Sequence, residues 1–234
     1  METIPSYIFY FFVYSFLGWV CEDIYVGVGE GKFVNRGFFY GPYCPIYGVG
    51  ALTVLIFLQK VQTNPILVFL GGIVLTSILE YFTSWIMEIL FHERWWDYSE
   101  YPFNIHGRIC LKNSLLFGLM ALFLMYIVHP YVYDLFKFLY MQNHQVFFIL
   151  YHLVLIIFIV DGIFTLRSLL YHNALIKNIH TLLQEIEKES ERLLIIEKLE
   201  AFKQSHMSKA FPNRIHTWLK EQKDKVHFEE LFKK

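Results

Sequence analysis

The chain has 234 residues, of which 56% are hydrophobic and 19% aromatic, and its formal net charge is −1. A soluble domain of this length needs more polar surface, so the composition predicts an integral membrane protein. Most Lys and Arg residues follow Tyr171 and are mixed there with Glu and Asp, which argues against a nucleic-acid-binding arm. Three cysteines without Cys-x-x-Cys spacing indicate neither a disulfide framework nor a zinc site, and the sequence contains no P-loop for ATP. We therefore expect no bound cofactor or metal.

Five apolar segments predict an all-α, polytopic transmembrane helical bundle, because a spanning helix needs about 20 mostly apolar residues. No basic region precedes the first segment, so we expect no cleaved signal peptide. The second segment is short and opens on Gly41-Pro42-Tyr43-Cys44-Pro45. Its two prolines interrupt regular hydrogen bonding, so this start is expected to be broken or re-entrant. The predicted spans are 4–28, 44–59, 65–91, 114–136 and 146–170.

The distribution of basic residues predicts the orientation of the spans. Lys60 and Lys137 lie on one side of the membrane, whereas the first loop, the third loop and the basic tail lie on the other. The positive-inside rule then places the N-terminus outside the cell and the C-terminus in the cytoplasm. The basic residues of the first and third loops are Lys32, Arg36, Arg94, Arg108 and Lys112.

Residues 172–234 are predicted to form a cytoplasmic helical tail behind a transmembrane domain of residues 1–171. Apolar residues recur at helical spacing among Glu and Lys, and Pro212 is expected to end this element. An amphipathic helix of this kind favours dimerisation or packing over a chemical site, so the tail is a candidate for homo-oligomerisation. Its apolar positions are Ile176, Ile179, Leu183, Ile186, Leu193 and Ile196.

Two hairpins suggest an internal repeat. The segment Gly18-Trp-Val-Cys-Glu22 ends the first span, and Ser84-Trp-Ile-Met-Glu88 lies in the third. Each precedes a loop with Asn and Gly and then a helix that starts on an aromatic residue and Gly. We hypothesise that spans 1–2 and 3–4 are parallel repeats about an axis along the membrane normal; chance similarity between apolar hairpins is an equally weighted alternative. In the repeat, Glu22 and Glu88 lie at equal depth, and Glu22 shares a protein-facing helix side with Gly18.

Embedded and loop polar residues make up the predicted substrate-binding site. Glu80 falls inside a span, where an acidic residue costs about 2.5–3.5 kcal/mol and is therefore usually turned inward. Asp161 is in the same position, and an interhelical hydrogen bond or an ion pair with Arg167 would explain it. Loop residues at the mouth of the bundle could bind an anion or a lipid headgroup, because Arg offers a fork of donors; an aromatic belt with interfacial Arg is the alternative. The full predicted set is Glu22, Asn35, Arg36, Glu80, Glu88, Asp97, Asn104 and Arg108.

Specific motifs run through most of the chain. They are Phe16-Leu-Gly-Trp-x-x-Glu22, Asn35-Arg-Gly-Phe-x-x-Gly-Pro-x-x-Pro-Ile-Tyr-Gly48, Leu79-Glu-Tyr-x-x-Ser-Trp-x-Met-Glu88, Trp95-Trp-Asp-Tyr-Ser99, Asn104-x-x-Gly-Arg-Ile-Cys110 and Ala210-Phe-Pro212. In these motifs the chain resembles a family of bacterial membrane proteins described as ABC-transporter type IV permeases. The resemblance implies a multi-pass transporter subunit with a separate ATPase partner, and it carries no assigned substrate or catalytic residues.

Three functions remain open at this point. In a transporter or permease-like subunit, Glu22, Glu80 and Glu88 would line a polar pathway, and Arg36 and Arg108 would meet an anionic group. In a membrane-embedded enzyme acting on a lipid or other amphiphile, a glutamate would be the general base and an arginine the phosphate clamp. In a regulatory or assembly subunit, the amphipathic tail would carry the function. We predict that Glu22→Gln and Glu88→Gln each abolish function without loss of expression.

Overall fold

The computed structural model describes residues 3–30, 37, 39–91 and 94–185, and these residues are mainly helical. Two short strands, β1 (Asn104–Ile105) and β2 (Ile109–Cys110), pair antiparallel in the third loop. The helices are α1 (Ile4–Glu30), α2 (Pro45–Leu58), α3 (Pro65–Phe91), α4 (Leu111–Phe123), α5 (His129–Gln142) and α6 (His144–Glu185). A 3-10 turn (Gln59–Val61) extends α2, and a π-helical segment (Leu124–Val128) joins α4 to α5.

Four helical segments are long and apolar enough to cross a membrane: Ile4–Ile24, Pro65–Phe91, Leu111–Gln142 and His144–Tyr171. The predicted second span corresponds to the shorter apolar helix Pro45–Val61. At 1.5 Å per residue, the 14 residues of α2 itself extend for about 21 Å, which is less than a bilayer core of about 30 Å. Its start is interrupted as expected, because residues 39–44 are not helical and α2 begins at Pro45.

The described residues divide into two compact units. The first comprises Met1–Thr83 with Asp97–Thr165, and the second comprises Ser84–Trp96 with Leu166–Lys234. Helix α6 continues without interruption from the predicted fifth span to Glu185, so the predicted boundary at residue 171 falls within one helix. The predicted tail beyond Glu185, including Pro212, lies outside the described residues.

Close helix contacts at small residues build the first unit. Helices α1 and α2 cross where Gly48 faces Ser15: a Cβ added to Gly48 would lie 2.3 Å from the Ser15 hydroxyl and 2.7 Å from the Phe11 carbonyl oxygen. Helices α3 and α4 cross in the same manner, since a Cβ added to Gly72 would lie 2.5 Å from the Ala121 methyl group. Without a hydrophobic driving force in lipid, such close approach supplies the dispersion contacts that hold helices together.

Helices α5 and α6 are joined by a single residue, Asn143, whose side chain accepts hydrogen bonds from the first turn of α6. Phe136 and Phe147 pack edge-on across this turn, with ring centroids 5.7 Å apart. The same cluster includes the buried Tyr10 of α1. The turn therefore fixes α6 antiparallel to α5 within a mainly aromatic core.

Candidate functional site

Glu22 is held against α2. The Tyr47 hydroxyl donates a 2.7 Å hydrogen bond to Glu22 Oε2. A Cβ at Gly18 would lie 2.3 Å from the Tyr47 Cβ, so Tyr47 lies directly over this glycine. These contacts confirm that the side of α1 with Gly18 and Glu22 faces protein. Glu22 is half-buried, and the adjacent Asp23 is buried.

Glu80 lies fifteen residues after the start of α3, and it is only 6% exposed. Its Oε1 accepts a 3.1 Å hydrogen bond from the Tyr98 hydroxyl of the third loop. Its Oε2 is buried and has no hydrogen-bond partner among the described residues. The carboxylate is thus turned inward as predicted, but only one of its two oxygens is satisfied.

Tyr98 connects the third loop to Glu80. Burial, and then the charge of Glu80, raise the pKa of the Tyr98 phenol well above its usual value. The phenol therefore stays protonated and remains a donor to Glu80 across the physiological pH range. The Tyr98 amide also donates to the Gly107 carbonyl at 2.7 Å, and the Asn113 side chain hydrogen-bonds its hydroxyl. The loop and α4 together orient this one donor.

Arg108 and His106 both contact Tyr81, the residue after Glu80. The Arg108 guanidinium is 5.6 Å from the Tyr81 ring centroid, and the Tyr81 hydroxyl is 3.0 Å from His106 Nδ1. Arg108 is only 9% exposed, which is unusual for a snorkelling interfacial arginine. The arrangement favours a role inside the protein over the aromatic-belt alternative.

Asn104 and Asp97 shape the third loop. The Asn104 amide nitrogen donates to the carbonyls of Ser99 and Tyr101, and its oxygen accepts from the Gly107 amide. Asp97 accepts from the backbone and the hydroxyl of Ser99. Both predicted site residues therefore hold the loop in the shape that presents Tyr98. Their proposed contact with substrate remains a prediction.

Asp161 of α6 anchors the end of the first loop. Its carboxylate accepts hydrogen bonds from the amides of Tyr40 and Gly41, from the Tyr43 hydroxyl and from Thr165. The partners are the end of the first loop and a residue of the same helix, so these hydrogen bonds are not the interhelical bond that was one of the two expected explanations. Burial, followed by the hydrogen bond to Asp161, raises the pKa of Tyr43 well above its usual value.

Glu88 belongs to the second unit. Its carboxylate forms an ion pair with Arg94, with 3.1 Å between Oε1 and Nε, and both side chains are about one third exposed. Trp95 and Trp96 directly follow Arg94 in the sequence, and their rings stack with centroids 6.3 Å apart. Asn35 and Arg36, the remaining members of the predicted set, lie outside the described residues.

Sequence reasoning missed the tyrosines that orient the carboxylates. Tyr43, Tyr47 and Tyr98 each bond an acidic residue distant in sequence, but the chain has 16 tyrosines and nothing in the local pattern marks these three. Tyr43 follows Pro42 and Tyr47 precedes Gly48, but Tyr98 lies between Asp97 and Ser99, so no shared local signal could have found all three. Among the described residues, no group of three or more His, Cys, Asp or Glu side chains could hold a metal ion.

Comparison with known proteins now adds to this geometry. A family profile described as Putative ABC-transporter type IV matches residues 9–166, which extend from the first turns of α1 to the middle of α6. The chain belongs to this family. No curated protein and no solved structure gave a significant match.

Family membership and the long apolar helices together fit a membrane protein of transporter-like type. The match includes Glu22, Glu80, Asp161 and the complete third loop. It ends before the tail, so the features described above belong to the family region of the chain.

Proposed function

We propose that the chain is a permease-like transporter subunit whose polar pathway passes the Glu80 carboxylate. The observation that carries the proposal is a buried acidic side chain inside a spanning helix with one unsatisfied oxygen. Such groups are costly in a membrane and usually mark solute or ion pathways. A structural carboxylate would be expected to have its hydrogen bonds satisfied, as Asp161 does.

The remaining members of the site surround this pathway in the proposal. Glu22 lies on the protein-facing side of α1, and Arg108 of the third loop lies over Tyr81 of α3. Tyr98 closes the pathway while it bonds Glu80, so movement of the third loop would open it. Asn35, Arg36 and Glu88 are retained as substrate-binding candidates nearer the cytoplasmic face.

A separate ATPase subunit is part of the proposal, because the family description names an ABC transporter and this sequence contains no P-loop. Purification of the tagged full chain from native membranes in mild detergent tests the partner. We expect an associated subunit with a P-loop and ATP hydrolysis that elutes with the chain. A chain that elutes without any ATP-hydrolysing subunit contradicts this part.

Cysteine accessibility tests the pathway. Ser77 lies one turn before Glu80 and hydrogen-bonds Ser114 across the α3–α4 crossing, whereas Ile78 is 50% exposed on the outer surface. In a background without the native cysteines, Ser77→Cys should react with a membrane-impermeant thiosulfonate at least about tenfold faster than Ile78→Cys. Equal, slow labelling of the two variants would contradict a water-accessible pathway.

A further inference from the structure

Glu80 and Asp161 are both embedded carboxylates, but the protein satisfies them very differently. Asp161 receives four hydrogen bonds, which come from two amides and two hydroxyls. Glu80 receives one, from Tyr98, and its Oε2 is buried without a partner in the described part of the chain. No lysine or arginine of the described residues forms an ion pair with it. Within the described residues, the charge of Glu80 is therefore left without a basic partner.

We propose that Glu80 binds a monovalent cation in the membrane, either a small inorganic ion or the ammonium group of an organic solute. A carboxylate at this depth is stable only when a positive charge or a proton neutralises it. One carboxylate balances one positive charge, whereas divalent ions usually take several carboxylate oxygens. The inference rests on the proposed function, because it names the class of ligand that meets Glu80 in the pathway.

Neutral oxygens near Glu80 suit such a ligand. Ser77 precedes Glu80 by three residues and therefore lies on the same side of α3. Its hydroxyl is 2.8 Å from that of Ser114, and the Tyr98 hydroxyl bonds the other carboxylate oxygen. Hydroxyl and carboxylate oxygens can coordinate a small hard cation, and they can equally accept hydrogen bonds from an ammonium group.

Thermal unfolding of the purified full chain in detergent tests the proposal. The protein is heated in sodium chloride, in methylammonium chloride and in the chloride of N-methyl-D-glucamine, a bulky reference cation, at equal ionic strength. A ligand that binds only the folded state raises the Tm, so we expect sodium or methylammonium to raise it relative to the reference. Glu80→Gln should abolish the rise. Glu100→Gln is the matched control and should keep it, because Glu100 is exposed and lies outside the predicted site.

A second measurement uses the wild-type chain and so does not depend on the folding of a variant. Dicyclohexylcarbodiimide reacts with protonated carboxyl groups in apolar surroundings, and mass spectrometry locates the adduct. We expect Glu80 to be labelled in the reference salt. Labelling should slow by about tenfold when the cation is at ten times its Kd, because only the empty fraction reacts.

The two cation arms identify the source of the charge. Protection by sodium alone assigns an inorganic ion, and protection by methylammonium alone assigns the amine of a solute. The proposal is overturned if Glu80 is not labelled in the reference salt, if neither cation slows its labelling, or if Glu80→Gln keeps the rise in Tm. The cation site and the pathway can fail separately. If the cation slows carbodiimide labelling of Glu80 but Ser77→Cys does not react with the thiosulfonate, the cation site stands and the pathway is contradicted. If Ser77→Cys reacts fast but neither cation slows labelling of Glu80, the pathway stands and the cation site is contradicted.

Discussion

At the scale of single residues, Asn104 shows that a side chain predicted to bind substrate also holds the loop around it in shape. Its amide group bonds three backbone atoms of the third loop. The loop in turn presents the Tyr98 hydroxyl to Glu80. The sequence indicates that Asn104 matters, since an Asn before His-Gly suits a tight turn, but it does not distinguish a turn residue from a ligand.

Asn104→Asp should loosen the third loop. Aspartate keeps the oxygen that accepts from Gly107, but it cannot donate to Ser99 and Tyr101, and each lost hydrogen bond costs about 1 kcal/mol. Hydrogen exchange of the peptide amides between residues 98 and 110 should become faster, and Asn104→Ala should have at least as large an effect. The exposed neighbour Glu100 provides the control, since Glu100→Gln should leave exchange unchanged. Normal exchange in Asn104→Asp would contradict the structural role of the amide.

The acidic residues show which part of the site was predictable. That Glu80 turns inward follows from the cost of charge in lipid, and Glu22 facing protein follows from its helical spacing with Gly18. Which partner each carboxylate meets was not predictable, because Tyr47 is 25 residues from Glu22 and Tyr98 is 18 residues from Glu80. Contacts over such distances depend on how helices cross, and local periodicity does not encode the crossing.

At the scale of elements, the α1–α2 crossing gives a sharp test of helix packing. A Cβ at Gly48 would overlap the Ser15 hydroxyl and the Phe11 backbone, whereas a Cβ at Gly50 would meet its nearest neighbour, Leu79, at 3.5 Å. Gly48→Ala should therefore destabilise the fold by about 1–3 kcal/mol through overpacking. Gly50→Ala, in the same helix, should change stability by less than about 1 kcal/mol.

Thermal unfolding of the two purified variants decides this prediction. A clear fall in Tm is expected for Gly48→Ala alone. If both glycines tolerate alanine equally, the two helices do not approach as closely as Gly48 and Ser15 indicate.

The end of the first loop depends on Asp161 of α6. Asp161→Asn removes the charge and replaces an acceptor oxygen with a donor that faces other donors, such as the Gly41 amide. Hydrogen bonds to charged groups contribute about 1.5–3 kcal/mol each, so residues 39–43 should detach more often. Cys44 follows this segment and is buried, so its alkylation should accelerate by about tenfold or more.

Peptide mapping by mass spectrometry separates Cys44 from the exposed Cys21 and the buried Cys110. The exposed carboxylate of Asp134 supplies the control, and Asp134→Asn should leave Cys44 as slow as in the wild type. Unchanged alkylation in Asp161→Asn would show that other contacts, such as Phe39 with Phe158, hold the segment without the carboxylate.

At the scale of the whole molecule, the orientation in the membrane is still a prediction. The positive-inside rule places Asn64 outside the cell and the residues after Glu185 in the cytoplasm. Alkaline phosphatase fused at Asn64 should therefore be active, and green fluorescent protein fused after Glu185 should fluoresce. The opposite pattern would invert the orientation and place the first and third loops outside.

The internal repeat remains a prediction, but the helix contacts favour another alignment of its two hairpins than the one that places Trp19 on Trp85 and Gly48 on Gly118. Cys44 and Cys110 each occupy the position before a helix, and matching them aligns Gly48 with Ser114. Gly48 contacts Ser15 and Ser114 contacts Ser77, so the packing aligns Ser15 with Ser77. Trp19 then corresponds to position 81, one helical turn from the Trp85 that the sequence alone suggests.

That one-turn difference shows where sequence reasoning reaches its limit. Apolar length identified the four long helices, and the prolines identified the interrupted start of α2. The short second segment was predicted as 44–59 and corresponds to the apolar helix Pro45–Val61, but composition alone does not show that its last three residues form a 3-10 turn. Similar residue types recur about one turn apart in apolar helices. An alignment of two such helices by sequence can therefore be shifted by one turn, and only side-chain contacts fix it.

The π-helical segment Leu124–Val128 has a consequence for how this protein could change over time. A π turn holds one residue more than the α-helix on either side of it, and Pro130 just beyond it lacks an amide hydrogen to continue the regular ladder. Deletion of one residue, which would misalign any other span, would here restore regular helical bonding. Because the wider turn absorbs the extra residue, such a deletion should leave α5 in nearly its present orientation, so His129 should keep the Tyr14 hydroxyl that it now meets at 2.8 Å. A homologue one residue shorter at this point should therefore retain both Tyr14 and His129.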